Sequence, residues 1–422
     1  MFNRRDFIHG ALGSTASLAA VSLYPSSRVL GDTSSRVLGA NDRIRFGLIG
    51  CGGRGQEIFR AAIKAPNTEA VAVADVYTRR LEEAKRIAPD VKTYSDFRRL
   101  LDDKSTDAVL IATPQHQHAL QFVPAIQAGK DVYQEKTMAF NPDHARRMRH
   151  AFLASNCVVQ IGIQSTSSPA LARARELVST EPMGQITVIR SHMYRNSPYG
   201  GWKRQIPDDC NPQHVDWKAF EGETAFHPFD PNRVINWRFY WDYSGGNIFE
   251  NMVHQVGFWF KAMDLQIPER VTMSGANYFS PEMQVPDTMD VSMALPEKIL
   301  FTWNSGFGSS YYDEGDEVVL GTEGTVARNG DTEVVTYIPS QSGLGAGAAR
   351  ASGEGPGAAD IVGGGNETDI HMRNFMDCVR SRKEPDCPFE IGFRSAIACQ
   401  MAVASYRQGR EVRWDAETEQ IV

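Results

Sequence analysis

Short apolar runs alternate with amphipathic segments along residues 43–137. The first run, 43–49, is apolar and β-branched, and it is followed by a segment with helical periodicity that ends near Ile63. The same pairing repeats with apolar runs at 70–75, 107–113 and 131–137, separated by helical patterns at 79–88 and 118–128. Uninterrupted apolar runs are typical of strands that are buried on both faces. Repeated strand–helix units predict an α/β fold with a doubly wound parallel sheet.

A glycine-rich segment, residues 50–55, lies between the first predicted strand and its helix. Gly50 permits a tight turn, Gly52 lets the backbone approach a pyrophosphate, and Gly55 lets the helix pack on the strand. Asp75 lies 20 residues beyond Gly55, where a carboxylate can accept the hydroxyls of an adenosine ribose. The context favours a dinucleotide site over a plain glycine loop.

Asp75 favours NAD, because a carboxylate repels the 2′-phosphate of NADP. Arg79 and Arg80 follow closely and leave NADP possible, although they are also consistent with solvated charges at the start of a helix. The carboxyl ends of parallel strands meet at one edge of a sheet, which places Thr113, His118 and Lys136 on the same edge as Gly50 and Asp75. His118 is expected either against the nicotinamide or in a packing role, and His116 is expected to face solvent.

The rest of the chain has a different pattern. Residues 200–236 are rich in Trp, Pro, Asp and His and predict a long loop, either at the rim of the site or in an oligomer contact. Strand-like alternation covers 271–326, and helical patterns cover 369–382 and 394–408. The segment 343–366 is rich in Gly and Ala and predicts a flexible loop.

Composition and charge narrow the class of protein. The chain has 422 residues, of which 44 are Lys or Arg and 51 are Asp or Glu, and 42% are hydrophobic. These values exclude collagen-like and disordered classes and give no electrostatic reason to expect a nucleic-acid partner. The six cysteines show no zinc-site spacing, although one disulfide among Cys378, Cys387 and Cys399 is possible.

The first forty residues predict an export signal and linker. Arg4 and Arg5 precede Phe7-Ile8 and a weakly apolar run, as in a twin-arginine signal, whereas the alternative is an amphipathic helix with a chance arginine pair. We therefore expect a periplasmic protein whose mature form has no membrane span. The predicted domains are 1–40 (signal and linker), 41–160 (nucleotide-binding) and 161–422 (substrate-binding and oligomerisation), with C-terminal helices able to pack back on the second of these.

Several motifs together resemble the glucose–fructose oxidoreductase/inositol dehydrogenase (Gfo/Idh/MocA) family. They are the glycine fingerprint, the Thr113-Pro-x-x-x-His118 loop, the Ala128-Gly-Lys turn, and Glu135-Lys136-Thr137 in place of Glu-Lys-Pro. The resemblance implies an N-terminal Rossmann domain and a C-terminal α/β domain with an open, mostly antiparallel sheet. It also implies a sugar or polyol substrate and a homo-oligomer. The residues expected to bind the cofactor are Gly50, Cys51, Gly52, Gly53, Arg54, Gly55, Asp75, Thr113, His118, Glu135 and Lys136.

The resemblance also implies the catalytic residues. Lys136 matches the family lysine that contacts the reacting hydroxyl, and His254 matches the histidine that exchanges its proton, a task suited to imidazole. Glu250 stands where the family usually has Asp, and residues four apart share a helix face, so Glu250 and His254 can point into one cleft. The alternatives are a core histidine with a surface glutamate, or a metal pair for which His192 and Asp287 are speculative further ligands. No metal is assigned.

The expected function is an NAD(P)-dependent oxidoreductase that acts on a CH–OH group of a sugar, polyol or glycoside with a tightly bound, recycling cofactor. Two alternatives stay open, namely an NAD-dependent glycoside-cleaving enzyme that uses transient oxidation and elimination, and a non-catalytic sugar- or nucleotide-binding protein. The residues expected to bind substrate are Lys136, Gln164, Arg238, Tyr240 and His254.

Overall fold

The computed structural model describes residues 43–196, 201–308, 316–330, 332–340 and 366–422. The predicted export signal lies outside these ranges, as does the predicted flexible loop except for Asn366. No helix in the described ranges is both long and apolar enough to cross a membrane.

The first sheet is parallel and has six strands in the order β3-β2-β1-β4-β5-β6. Strand β4 is fully buried, as its sequence Ala-Val-Leu-Ile predicts. This arrangement confirms the predicted doubly wound sheet. Its strands are β1 (Ile44–Ile49), β2 (Thr68–Ala74), β3 (Lys92–Tyr94), β4 (Ala108–Ile111), β5 (Asp131–Glu135) and β6 (Val159–Gly162). The helices between them are α1 (Gly53–Lys64), α2 (Thr78–Ile87), α3 (Phe97–Leu101), α4 (His118–Gln127) and α5 (Pro142–Leu153).

The second sheet has nine strands in the order β13-β12-β11-β7-β10-β9-β8-β14-β15. Among the strand pairs of the described residues, β7–β10 is parallel and the others are antiparallel, so the sheet is mostly antiparallel, as expected. Its strands are β7 (Ile186–His192), β8 (Arg270–Ala276), β9 (Thr288–Ala294), β10 (Leu300–Gly306), β11 (Asp316–Gly321), β12 (Gly324–Asn329), β13 (Val335–Pro339), β14 (Val412–Asp415) and β15 (Gln420–Ile421). The remaining helices are α6 (Pro169–Thr180), α7 (Trp217–Glu221), α8 (Pro231–Ile235), α9 (Val253–Met263), α10 (Glu367–Ser381) and α11 (Phe389–Gln408).

The C-terminal helices belong to both halves of the core. Met372 and Phe375 of α10 lie in one apolar cluster with Phe46 of β1 and Phe59 of α1. Helix α11 lies in the cluster that contains both Ile161 of β6 and Trp303 of β10. The end of the chain therefore supports the glycine-rich edge of the first sheet.

Residues 201–236 are more ordered than the sequence pattern predicts. They include the short helices α7 and α8 and an apolar cluster in which Phe220 contacts Tyr243. His116, which was expected to face solvent, is 2% exposed and packs against both of these rings. Aromatic packing orders a segment that has little hydrophobic periodicity.

Candidate active site

The glycine loop has the geometry that a dinucleotide site needs. Gly50 has φ +91°, and a Cβ at Gly55 would lie 1.9 Å from the carbonyl oxygen of Gly50, so both positions require glycine. At Gly52 a Cβ would meet no atom within 4 Å, and no side chain caps the start of α1. The amide groups at this helix N-terminus therefore face open space, where they can bind phosphate oxygens.

Asp75 lies at the end of β2 beside this loop. Its carboxylate accepts hydrogen bonds from the backbone N–H of Cys51, at 2.7 Å, and of Tyr77, at 2.9 Å. Burial raises the pKa of Asp75, and the two hydrogen bonds oppose that shift. The Cys51 side chain is fully buried and its N–H is used by Asp75, so the direct cofactor contact expected of Cys51 is corrected to a supporting one.

A buried network lies beneath the loop. Arg54 Nε donates to Glu135 Oε1 at 2.8 Å, and Gln164 Nε2 donates to the Tyr133 hydroxyl at 2.8 Å and to Glu135 at 3.3 Å. Burial is the largest influence on Arg54 and opposes its charge, but Glu135, Tyr133 and Glu57 together outweigh it and raise the pKa of the guanidinium. In this structure Glu135 binds Arg54, and Gln164 in turn binds Glu135. The cofactor contact expected of Glu135 and the substrate contact expected of Gln164 stay predictions.

His118 joins two strand ends. The ring is fully buried, with Nδ1 2.8 Å from the Thr137 carbonyl oxygen and Nε2 2.9 Å from that of Thr113. Burial lowers its pKa. Both ring nitrogens face carbonyl groups in a fully buried ring, which favours the packing alternative over the expected nicotinamide contact. Thr113 lines the open cavity, and its hydroxyl donates to Gln121 at 2.7 Å.

Lys136 and Glu250 form a buried ion pair where the two sheets meet. Lys136 Nζ donates to Glu250 Oε2 at 2.9 Å and to the Glu250 carbonyl oxygen at 3.0 Å. Arg238 Nε lies 3.0 Å from Glu250 Oε2, and Gln115 Nε2 donates to the other carboxylate oxygen. Burial would raise the pKa of Glu250, but Arg238 and Lys136 outweigh it and hold that pKa well below its usual range. The Lys136–Thr137 peptide bond is cis.

His254 lies four residues after Glu250 but in a different environment. Residues Ile248–Met252 form a π-helical turn that leads into α9, where His254 is the second residue. Within the described ranges the His254 ring makes no hydrogen bond, and the residue is partly exposed. Burial, together with the positive charges of Lys136 and Arg54, lowers its pKa well below the usual value. The ring is therefore neutral and available as a proton acceptor.

Two further expected residues have partners within the protein. The Tyr240 hydroxyl accepts a hydrogen bond from Asn232, and its ring lies 4.5 Å from the Arg233 guanidinium. The substrate contact expected of Tyr240 stays a prediction. Asp287, a speculative metal ligand with His192, accepts hydrogen bonds from three backbone N–H groups and the Thr288 hydroxyl. Across the described residues, no group of three His, Cys, Asp or Glu side chains could hold a metal ion. All six cysteines are free thiols.

A cavity of about 730 Å³ connects these parts. It is lined by Gly52, Asp75 and Thr113 on the side of the first sheet and by Arg204 and Arg238 on the other. Arg238 both lines the cavity and pairs with Glu250, so the cavity reaches the Lys136–Glu250 pair at this residue. Sequence reasoning missed Gln115 and Arg204, because no local pattern marks a residue whose partner is far away in the chain.

The residues present fit NAD. The open side of Gly52 and the uncapped start of α1 suit a pyrophosphate, and each Asp75 oxygen keeps a lone pair for a ribose hydroxyl. Arg79, which could have accepted a 2′-phosphate, instead binds Asp209 through its guanidinium at 2.8 Å. The carboxylate and the paired arginine together favour NAD.

Comparisons with known proteins agree with this geometry. Residues 44–163 match the model of the GFO_IDH_MocA family, described as an oxidoreductase family with an NAD-binding Rossmann fold. An uncharacterized oxidoreductase of Streptococcus pneumoniae is 26% identical over 298 residues, which cover 67% of this chain and 68% of that protein. The inositol 2-dehydrogenase of Salmonella paratyphi B is 25% identical over 237 residues, which cover 56% of this chain and 65% of that enzyme.

Solved structures share the fold. The WlbA dehydrogenase from Bordetella pertussis, in complex with NADH and UDP-GlcNAcA, superposes with a TM-score of 0.67 at 20% identity. The match covers 88% of this chain and 99% of that one. The match covers most of both chains, so the two proteins share the α/β fold.

Proposed function

We propose that this chain, whose residues 44–163 match the model of the NAD-binding GFO_IDH_MocA oxidoreductase family, oxidises a CH–OH group of a sugar, polyol or glycoside with NAD. The observation that carries the proposal is the convergence of four side chains beside the nucleotide cavity. Lys136 holds Glu250 at 2.9 Å, Arg238 connects this pair to the cavity, and His254 stands close enough for the charge of Lys136 to lower its pKa.

The protein's own groups divide the proton chemistry. NAD, when bound, supplies the hydride acceptor. Lys136 uses two of its three N–H bonds on Glu250 and has one left to orient the substrate hydroxyl. His254, held neutral by burial and by neighbouring cations, accepts the hydroxyl proton. Glu250 fixes the position of Lys136 and compensates its charge.

A panel of polyols and sugars tests the proposal. Nicotinamide reduction is followed spectroscopically with inositols, aldoses, uronic acids and their glycosides, with Lys136→Met as the inactive control. We expect reduction with at least one CH–OH substrate and a loss of about 10²-fold or more in the variant. Net cleavage of an aryl glycoside without net cofactor turnover would assign the elimination chemistry instead. Full activity in the variant would contradict the role of Lys136.

We also propose export by the twin-arginine route, which would deliver an enzyme already folded around its cofactor. The Arg4-Arg5 pair supports this proposal. Cell fractionation tests it, with the double variant Arg4→Lys, Arg5→Lys as the control. We expect the wild-type protein in the periplasm and the double variant in the cytoplasm, and equal distribution of the two would contradict export.

We further propose a homo-oligomer that uses the open face of the nine-stranded sheet. Leu300 of β10 and Ile338 of β13 are large apolar residues on strands, and both are more than 40% exposed. Light scattering on the purified protein measures the mass, and the double variant Leu300→Lys, Ile338→Lys is expected to dissociate. A monomeric wild type would contradict this proposal.

A further inference from the structure

Arg204 stands over the glycine loop from the opposite wall of the cavity. Its Nη1 lies 3.6 Å from the position that a Cβ at Gly53 would occupy. Arg204 lines the same cavity as Gly52 and Asp75. Gly53 is the first residue of α1, whose uncapped amide groups are the expected phosphate donors.

The backbone of Arg204 is fixed by one buried side chain. Asn236, 4% exposed, accepts a hydrogen bond from the Arg204 N–H at 2.7 Å and donates one to the Arg204 carbonyl oxygen at 3.2 Å. Asn236 also donates to Asn232 Oδ1 at 2.7 Å, at the start of α8. These hydrogen bonds of the Asn236 side chain fix the backbone at Arg204, so the arginine extends into the cavity from a fixed position.

The guanidinium of Arg204 lacks a counter-charge. In the part of the chain that the structure describes, it makes no hydrogen bond or ion pair, whereas Arg80 pairs with Glu83 at 2.7 Å and Arg238 with Glu250 at 3.0 Å. The residue as a whole is exposed, but partial desolvation of its guanidinium and the charges of Arg238 and Arg80 lower the pKa of Arg204, and Glu250 opposes them. The Arg204 guanidinium thus lies near other positive charges and faces the N-terminus of α1. This arrangement favours binding of an anion.

We propose that Arg204 is a cofactor clamp that binds the pyrophosphate of NAD from the side of the second sheet. The helix amides bind one side of the anion, and the planar guanidinium can bind two phosphate oxygens on the other. The nucleotide is then held between the glycine loop and the 201–236 segment. This contact slows release and favours a cofactor that remains bound through repeated turnovers. The inference rests on the NAD binding described above.

The test compares nucleotide binding by Arg204→Ala, Arg204→Lys and the matched control Lys203→Ala. Lys203 is the neighbouring cation, exposed and paired with Glu282 at 2.7 Å, so its removal costs the same charge on the same segment. Three ligands are titrated into nucleotide-free protein, with NADH and ADP-ribose carrying a pyrophosphate and adenosine carrying none. The dissociation rate of NADH is measured in parallel.

For Arg204→Ala we expect the Kd of NADH and of ADP-ribose to rise by a common factor, on the order of 10- to 100-fold, mainly through faster dissociation. The adenosine Kd should not change, Arg204→Lys should restore part of the affinity, and Lys203→Ala should match wild type. Unchanged NADH and ADP-ribose affinity in Arg204→Ala, with only the KM for substrate raised, would overturn the clamp and assign Arg204 to a substrate anion. A wild-type protein without affinity for NADH would overturn the cofactor assignment itself.

Discussion

At the residue scale, the environment of His254 determines when it can act as a base. Burial and the cations Lys136 and Arg54 lower its pKa, so the neutral, proton-accepting form persists at a pH where an ordinary histidine is already protonated. We expect the acid limb of the kcat/KM profile to lie below the usual histidine range.

The charge of Lys136 contributes to this low pKa, so removing it is expected to change the pKa of His254. Lys136→Met removes a positive charge that lowers the pKa of His254, so this pKa should rise in the variant. NMR titration of the histidine rings measures it even if the variant turns over slowly. Lys64→Met, which removes an exposed cation paired with Asp369, is the control. A His254 pKa that does not change in Lys136→Met would contradict the electrostatic account.

Glu250 gives a prediction about stability. Glu250→Gln keeps the shape but leaves Lys136 and Arg238 without their carboxylate, and we expect a loss of about 3 kcal/mol in the free energy of unfolding, measured in urea. Glu250→Asp, which keeps the charge, should lose less. Equal stability of Glu250→Gln and wild type would contradict the ion-pair network.

The individual residues show what the sequence could predict. Gly50, Gly55, Asp75 and Lys136 follow from spacing around strand ends, because that geometry is local. The contacts of Glu250 with Lys136 and Gln115 join residues 114 and 135 positions apart, and no periodicity encodes them. Arg204 and Gly53 are likewise far apart in the sequence, so no local pattern predicts that they approach each other.

At the element scale, two substitutions in the glycine loop are expected to act differently, one on folding and the other on nucleotide binding. A methyl group at Gly55 would collide with the Gly50 carbonyl, whereas at Gly52 it would meet open space, and Gly52 has φ −67°, which alanine adopts readily. Gly52→Ala should therefore keep the wild-type Tm and bind NADH about tenfold more weakly. Gly55→Ala should lower the Tm. Unchanged NADH affinity in Gly52→Ala would contradict the pyrophosphate position.

The π-helical turn at Ile248–Met252 shows why one element was only partly predicted. Helical spacing places Glu250 and His254 on one face, but the wider turn changes the register between them. Glu250 is satisfied by cations, while His254 is left without a hydrogen-bond partner in the described ranges. A hydrophobic pattern cannot distinguish a single π turn from an α turn.

At the scale of the whole molecule, α10 returns to the first sheet, where Phe375 packs against Tyr133 at 5.8 Å between ring centroids. This helix also carries His371, fully buried with Nε2 2.9 Å from the Ile161 carbonyl oxygen. Its helical pattern and its return to the nucleotide-binding domain were expected from the sequence, but the individual contacts join residues more than 200 positions apart and have no local pattern. Packing of α10 therefore couples folding of the C-terminal part of the chain to the first sheet, which carries the nucleotide site.

Burial lowers the pKa of His371 to about 3, so the folded protein keeps this ring neutral while the unfolded chain protonates it below pH ~6.5. Stability should be full above that pH and fall between ~6.5 and 3, by up to about 1.4 kcal/mol per pH unit for this group. His371→Gln should show a shallower pH slope in urea unfolding, whatever its stability at neutral pH. An unchanged slope would contradict the buried neutral ring.

In the proposed reaction, hydride passes from the substrate to NAD held by the glycine loop, while Lys136 orients the substrate hydroxyl and His254 accepts its proton. The direct measurement is mass spectrometry of the nucleotide after incubation with polyols and sugars deuterated at the CH–OH carbons. We predict deuterium on the nicotinamide in the wild type with the accepted substrate, and a strongly reduced rate of labelling in Lys136→Met. A folded wild-type protein that binds no NAD(H), or equal labelling rates in the two proteins, would contradict the account.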